Sequence, residues 1–83
     1  MTYDVVFSLE ASSELVRIAG AVPPSALVIQ AAESIRRKLQ SDPQGIGSPL
    51  SEGLFYIDAE SLRAFFVIDR DHMTVEITDF RVL

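Results

Sequence analysis

Residues 54–80 read LFYIDAESLRAFFVIDRDHMTVEITDF, and this stretch decides the fold. It contains three runs in which apolar and polar side chains alternate, at 54–59, 62–69 and 73–78. The polar pairs Glu60-Ser61 and Arg70-Asp71 fall between these runs. Such alternation is typical of antiparallel strands that bury one face and expose the other. The stretch therefore predicts two hairpins that share a middle strand.

Two-residue turns would fix the pairing register of both hairpins. The predicted pairs of the first hairpin are Ala59–Leu62, Ile57–Ala64 and Phe55–Phe66. The predicted pairs of the second are Ile68–Met73, Phe66–Val75 and Ala64–Ile77. Both registers collect the apolar side chains on one face. The opposite face then carries Tyr56, Asp58, Arg63, Phe65, Thr74, Glu76 and Thr78, and any chemical surface is expected there.

The N-terminal half predicts one strand and two helices. Tyr3 to Phe7 is a short β-rich run, and Ser8 is a suitable N-cap for a helix that ends at Gly20. A second amphipathic helix spans about 25–41, with Pro24 at its first position and Asp42-Pro43 at its end. Residues 44–53 contain three glycines and one proline, which predicts a loop.

The order strand, helix, helix and three strands predicts an α+β fold (β-α-α-β-β-β). A helical hairpin would pack on one face of an antiparallel sheet, and the first strand would join the sheet edge to satisfy its backbone. A chain of 83 residues is expected to form a single domain, 1–83.

Charge and composition exclude several classes of function. The net charge is −5, and residues 42–83 hold eight acidic and three basic side chains, unlike the basic surface of a nucleic-acid-binding protein. The chain has no cysteine, and no motif for a metal or cofactor is recognisable. No apolar run is long enough to span a membrane, and no signal peptide is evident. We therefore expect a cytoplasmic protein without a cofactor.

The pattern resembles the RelE/ParE superfamily of toxins from type II toxin–antitoxin systems. The similar segments are Tyr3 to Leu15, Leu39 with Asp42-Pro43 and Gly45, residues 53–57, residues 62–69 and residues 74–77. The resemblance covers nearly the whole chain and implies the RelE/ParE fold. It further implies a bacterial protein, connected with plasmid stabilisation, that an antitoxin protein keeps silent.

Two activities are implied by this resemblance. RelE-like members cleave messenger RNA on the ribosome, and ParE-like members inhibit DNA gyrase. By resemblance, Arg63 matches the middle-strand arginine of the family, and Arg81 falls near a basic position after the last strand. These two are the candidate catalytic residues of a ribosome-dependent endoribonuclease, in the role of phosphate or oxyanion contacts. Tyr56, Phe65, Asp58 and Glu76 are the candidate partner or RNA face.

Each of these residues also has a simpler interpretation. Arg63 lies opposite Asp58 in the predicted register, which favours a cross-strand ion pair, and Tyr56 lies opposite Phe65. The family's lysines before the middle-strand arginine are replaced here by residues 55–58, which read FYID. The alternative hypothesis is therefore a catalytically inactive interaction module, which binds a protein partner or forms a homodimer through the same face. A loop histidine, His72, and the run Arg36-Arg37-Lys38 at a helix end are interpreted as solvent-exposed.

Overall fold

The computed structural model describes residues 2–83, which form three helices and five strands. The helices are α1 (Leu9–Ala21), α2 (Ser25–Ser41) and α3 (Pro43–Ile46). The strands are β1 (Asp4–Phe7), β2 (Ser48–Ser51), β3 (Leu54–Ala59), β4 (Leu62–Asp69) and β5 (Thr74–Val82). The sheet order is β1-β5-β4-β3-β2, with β1 parallel to β5 and the other neighbours antiparallel. The predicted α+β fold and the edge position of the first strand are confirmed.

Ser8 joins the first strand, the first helix and the last strand. Its side-chain oxygen accepts the backbone N–H of Ala11 at 3.0 Å, as an N-cap does. Its hydroxyl donates to the carbonyl of Thr78 at 3.2 Å, and its backbone N–H donates to the carbonyl of Ile77 at 2.9 Å. The start of α1 is therefore fixed to the sheet. The predicted bounds of the second helix, about 25–41, match α2, but Pro24 is its N-cap and not its first helical residue.

The two long helices cover one face of the sheet and enclose the core. Ile18 of α1 and Ile35 and Leu39 of α2 are buried against Phe66 and Ile77 of the sheet. Burying an aliphatic or aromatic side chain of this size contributes about 1.5–3 kcal/mol. The predicted register of the first hairpin is confirmed, with all three pairs of β3 and β4 in place.

The register of the second hairpin was predicted two residues away from the observed one. The structure pairs Ile68 with Val75 and Phe66 with Ile77, because the connection contains four residues rather than two. Met73 adopts a left-handed backbone conformation with φ 51°, and its N–H donates to the carbonyl of Arg70. A shift of two residues keeps the same side chains in the core, since side chains alternate with period two.

A β-bulge in β5 changes the alternation after Ile77. Phe66 pairs with Ile77 but Phe65 pairs with Asp79, so Thr78 is left as the extra residue. The bulge turns Phe80 into the core and extends β5 to Val82, beyond the predicted end at Thr78. The predicted loop at 44–53 is likewise more regular than expected, since it contains most of α3 and all of β2.

Candidate functional site

The candidate site is the open face, the side of the sheet that the helices leave uncovered. We define it by the side chains that alternate with the core residues on the four strands concerned. It comprises Asp4 and Val6 of β1, Tyr56 and Asp58 of β3, Arg63, Phe65, Val67 and Asp69 of β4, and Thr74, Glu76, Asp79 and Arg81 of β5. All six predicted site residues therefore lie on one surface. Thr78, which was predicted on this face, is instead the half-buried bulge residue, and its hydroxyl donates to the Phe65 carbonyl.

Arg63 is held by a carboxylate and an aromatic ring. Its Nε and Nη2 atoms donate to the two oxygens of Asp58 at 2.7 and 3.0 Å, so the predicted cross-strand ion pair is present. Its guanidinium carbon lies 4.2 Å from the centroid of the Tyr56 ring. The hydrogen bonds from Arg63 hold the pKa of Asp58 below its usual range, and those to Asp58 raise the pKa of Arg63. Asp58 therefore occupies the Nε–Nη2 edge of the guanidinium, which is one of the edges that a phosphate could use.

Arg81 lies directly opposite Arg63 in the register of β4 and β5. Because β5 continues to Val82, Arg81 is a strand residue and not the tail residue that the sequence indicated. Its guanidinium carbon lies 5.3 Å from the centroid of the Phe65 ring. Like charges directly opposite each other are unfavourable in a sheet, and the ion pair of Arg63 with Asp58 reduces that repulsion. Sequence reasoning missed this pairing, although the three-residue spacing from Ile77 to Phe80 was a signal for the bulge that produces it.

Glu76 and two valines border a shallow recess at the other end of the open face. The recess has a volume of about 300 Å³, and its lining includes Val6, Val67, Asp69 and Glu76. Val6 is 45% exposed, which is high for a valine in a strand. This end of the face therefore combines uncovered apolar surface with carboxylates.

His72 lies outside the open face, in the connection between β4 and β5. The Asp69 carboxylate accepts the backbone N–H of His72 at 3.2 Å, and its second oxygen lies 2.8 Å from the His72 Nδ1 atom. The hydrogen bond from the His72 side chain, then that from its backbone, holds the pKa of Asp69 below its usual range. Both side chains are exposed, as the sequence indicated for His72. The pair thus orders the connection rather than forming an acid–base site in a cleft.

The basic run on α2 does not make one patch. Successive residues of a helix point about 100° apart, so Arg36, Arg37 and Lys38 face three directions. Arg36 also donates through Nε to both carboxylate oxygens of Glu33, at 3.1 and 3.0 Å. This pairing holds the pKa of Glu33 below its usual range. The run therefore supplies no concentrated positive surface for nucleic acid.

A groove of about 400 Å³, which sequence reasoning did not predict, lies between the start of α2 and the β3–β4 turn, beside Pro24, Leu27 and Ser61. Within the described part of the chain, no three histidine or carboxylate side chains are grouped as metal ligands would be. None of the helices formed by residues 2–83 is both long and apolar enough to cross a membrane.

The fold is similar to chains of solved toxin–antitoxin complexes. A chain of the RelBE2 complex from Mycobacterium tuberculosis matches with a TM-score of 0.83 and 26% identity, over 100% of this chain and 93% of that chain. A chain of the chromosomal ParDE system from P. aeruginosa matches with a TM-score of 0.70 and 16% identity, over 98% of this chain and 96% of that chain. A chain of the archaeal RelE–RelB complex from Pyrococcus horikoshii matches with a TM-score of 0.62 and 16% identity, over 99% of this chain and 96% of that chain. No family model and no curated protein matches the sequence.

Proposed function

From the RelE/ParE toxin fold of this chain, we propose that it is the toxin-like member of a type II toxin–antitoxin pair. The likeness to the RelBE2 complex supports this proposal, because it extends over the whole chain at 26% identity. The partner would be an antitoxin protein that keeps the toxin-like chain silent. The function of such a pair requires a surface on this chain that the antitoxin can cover.

The finer proposal is inhibition of translation by cleavage of messenger RNA on the ribosome. The observation that carries it is the direct pairing of Arg63 with Arg81 on the open face. Two arginines at paired positions of neighbouring strands could together contact the scissile phosphate and stabilise the charge that develops on its oxygens. Because Asp58 takes the Nε and Nη2 donors of Arg63, the phosphate would use the remaining donors of this guanidinium or displace Asp58. Gyrase inhibition is the other activity that the resemblance implies.

The second candidate function is a non-catalytic interaction module on the same fold. It is favoured by the charge of the open face, which carries five carboxylates and only two guanidinium groups. One of those guanidinium groups is already paired with Asp58. A surface of this charge repels the phosphates of RNA, whereas a protein partner can supply complementary charge.

Induced expression of the chain in bacteria tests these proposals, with growth, bulk translation and DNA synthesis followed together. Ribosome-dependent cleavage predicts growth arrest with an early fall in translation, and gyrase inhibition predicts an early fall in DNA synthesis. Arg63→Ala and Arg81→Ala should each relieve the arrest under the cleavage proposal. Arg17→Ala is the matched control, since Arg17 is exposed on α1, away from the open face. Normal growth at confirmed soluble expression would contradict the toxin proposal and favour the interaction module.

A further inference from the structure

We propose that the open face is the docking surface for a basic amphipathic segment of a partner protein. The segment would present apolar side chains to the centre of the face and lysine or arginine side chains to its carboxylates. This inference rests on the proposed function only in identifying that partner with the antitoxin. It adds the chemistry of the partner, which neither the fold nor the likeness to other complexes supplies.

The centre of the open face is apolar and uncovered. Tyr56, Phe65 and Val67 lie on the neighbouring strands β3 and β4, whereas Val6 lies on β1, across the polar residues of β5. None of the helices packs over these side chains. The rings of Tyr56 and Phe65 carry the guanidinium groups of Arg63 and Arg81 on their faces. Uncovered apolar surface that is bordered by polar side chains is characteristic of a protein interaction site. The apolar half of the partner segment would cover this centre.

Carboxylates lie around the apolar centre and give the open face a net negative charge. Asp4, Asp58, Asp69, Glu76 and Asp79 are all exposed on it. Hydrogen bonds hold the pKa values of Asp58 and Asp69 below their usual range, so both carboxylates are charged at neutral pH. Arg63 is neutralised by Asp58, which leaves Arg81 as the one unpaired cation among the open-face residues defined above. Electrostatic complementarity therefore selects a cationic partner.

The recess beside Val6 shows how such a segment could be held. Its lining includes Val6 and Val67, with Glu76 on the strand between them, and Asp69. A lysine or arginine side chain has an apolar stem and a charged end, so it can lie along valines and reach a carboxylate. The recess of about 300 Å³ is large enough for one such side chain.

The other occupants of an apolar face fit less well here. A second copy of this chain would bring an equally acidic surface onto this one, and the net charge of each copy is −5. Single-stranded RNA could stack on Tyr56 and Phe65, but its phosphates would meet five carboxylates. A basic peptide segment meets both the apolar and the charged requirement.

Peptide binding by the intact chain tests the inference. The probe is a short fluorescent peptide of alternating leucine and lysine, and its counterpart carries glutamate in place of lysine. Fluorescence anisotropy should detect binding of the lysine peptide and none of the glutamate peptide. Glu76→Lys should weaken binding by about tenfold or more. Glu52→Lys, an exposed charge reversal outside the open face, gives the same net charge and should change binding by less than about twofold.

Val6→Thr separates the apolar contribution from the charge. It keeps the shape of an exposed side chain, so the fold should be retained, while peptide binding should weaken several-fold. Equal weakening by Glu76→Lys and Glu52→Lys would overturn the inference, since only net charge would then matter. Binding of the glutamate peptide or of single-stranded RNA in place of the lysine peptide would also overturn it, as would a homodimer that Val6→Thr disrupts. Peptide binding without growth arrest would contradict the toxin proposal and leave this inference standing.

Discussion

At the scale of single residues, the open face is organised by its two arginines. Arg63 is bound through two hydrogen bonds to Asp58 and stacks on Tyr56, whereas Arg81 stacks on Phe65. An arginine with both an ion pair and a ring contact is restrained in one orientation. The same contacts that position Arg63 also use two of its donors, so Asp58 limits how this side chain can bind an anion.

The pKa of Asp58 gives a prediction for the dependence of stability on pH. Because the folded state lowers this pKa below its ordinary value of 3.8, the ion pair stabilises the fold above that pH and is lost as the pH falls below it. Asp58→Asn should therefore lower the melting temperature at neutral pH and have a diminishing effect below pH 3.8. Thermal melts across that range measure the difference. Glu52→Gln, which removes an exposed carboxylate elsewhere, should change neither the melting temperature nor its dependence on pH. A constant effect of Asp58→Asn on the melting temperature at every pH would contradict the prediction.

At the scale of elements, the sequence predicted those whose side chains alternate between core and solvent. The bounds of β3 and β4 and their register were predicted correctly, because one face of each strand is buried and the turn between them has two residues. β2 was missed because all four of its residues are exposed and one is Pro49. The bulge at Thr78 was missed although the spacing from Ile77 to Phe80 signals it, and its hydrogen bonds are with Ser8 and Phe65, which are distant in sequence.

The neighbours within the candidate site were predicted only where the strand register was predicted correctly. The contact between Arg63 and Asp58 follows from the correct register of β3 and β4. The pairing of Arg63 with Arg81 across β4 and β5 does not, because the predicted register of β5 was two residues away and ended before the bulge. Sequence therefore predicted most residues of the open face, although Thr78 was wrongly included and Arg81 was placed after the last strand. It did not predict which of these residues are neighbours across β4 and β5.

The segment between α3 and β2 is packed against the core, and this gives a prediction at the same scale. A Cβ at Gly47 would overlap the ring of Phe66, which is fully buried, and would lie 2.9 Å from the carbonyl oxygen of Pro43. Gly47→Ala should therefore lower the free energy of unfolding by about 1–3 kcal/mol. Chemical denaturation measures it.

Gly20 is the matched control for that substitution. A Cβ at Gly20 meets no heavy atom within 4 Å, and the residue lies inside α1. Gly20→Ala should raise the free energy of unfolding by about 0.5–1 kcal/mol, because alanine favours the helix. If Gly47→Ala is as stable as the native chain, residues 47–48 do not pack as described.

At the scale of the whole molecule, the negative charge lies mainly on the sheet half. Residues 42–83 hold eight acidic and three basic side chains, whereas residues 1–41 hold four of each. Residues 1–41 therefore add no net charge, although one of their carboxylates, Asp4, lies on the open face. This distribution opposes RNA binding by the free chain and favours a cationic protein partner.

Neutralising the open face should raise the affinity of the chain for RNA. The double variant Asp58→Asn, Glu76→Gln removes two charges and frees Arg63, so binding of a single-stranded RNA oligonucleotide should strengthen several-fold at low salt. The control, Glu10→Gln with Glu52→Gln, changes the net charge equally at exposed positions outside the open face. Filter binding or anisotropy measures both. An equal gain in the two variants would show that only net charge matters.

The most direct measurement is co-expression of the chain with the protein encoded beside its gene, followed by hydrogen exchange on the purified material. The toxin–antitoxin account predicts a stable complex in which backbone amides of β3, β4 and β5 exchange more slowly than in the free chain. It also predicts that Glu76→Lys weakens the complex and that Glu52→Lys does not. Failure of the two proteins to associate, or protection confined to the outer surface of the helices, would contradict it.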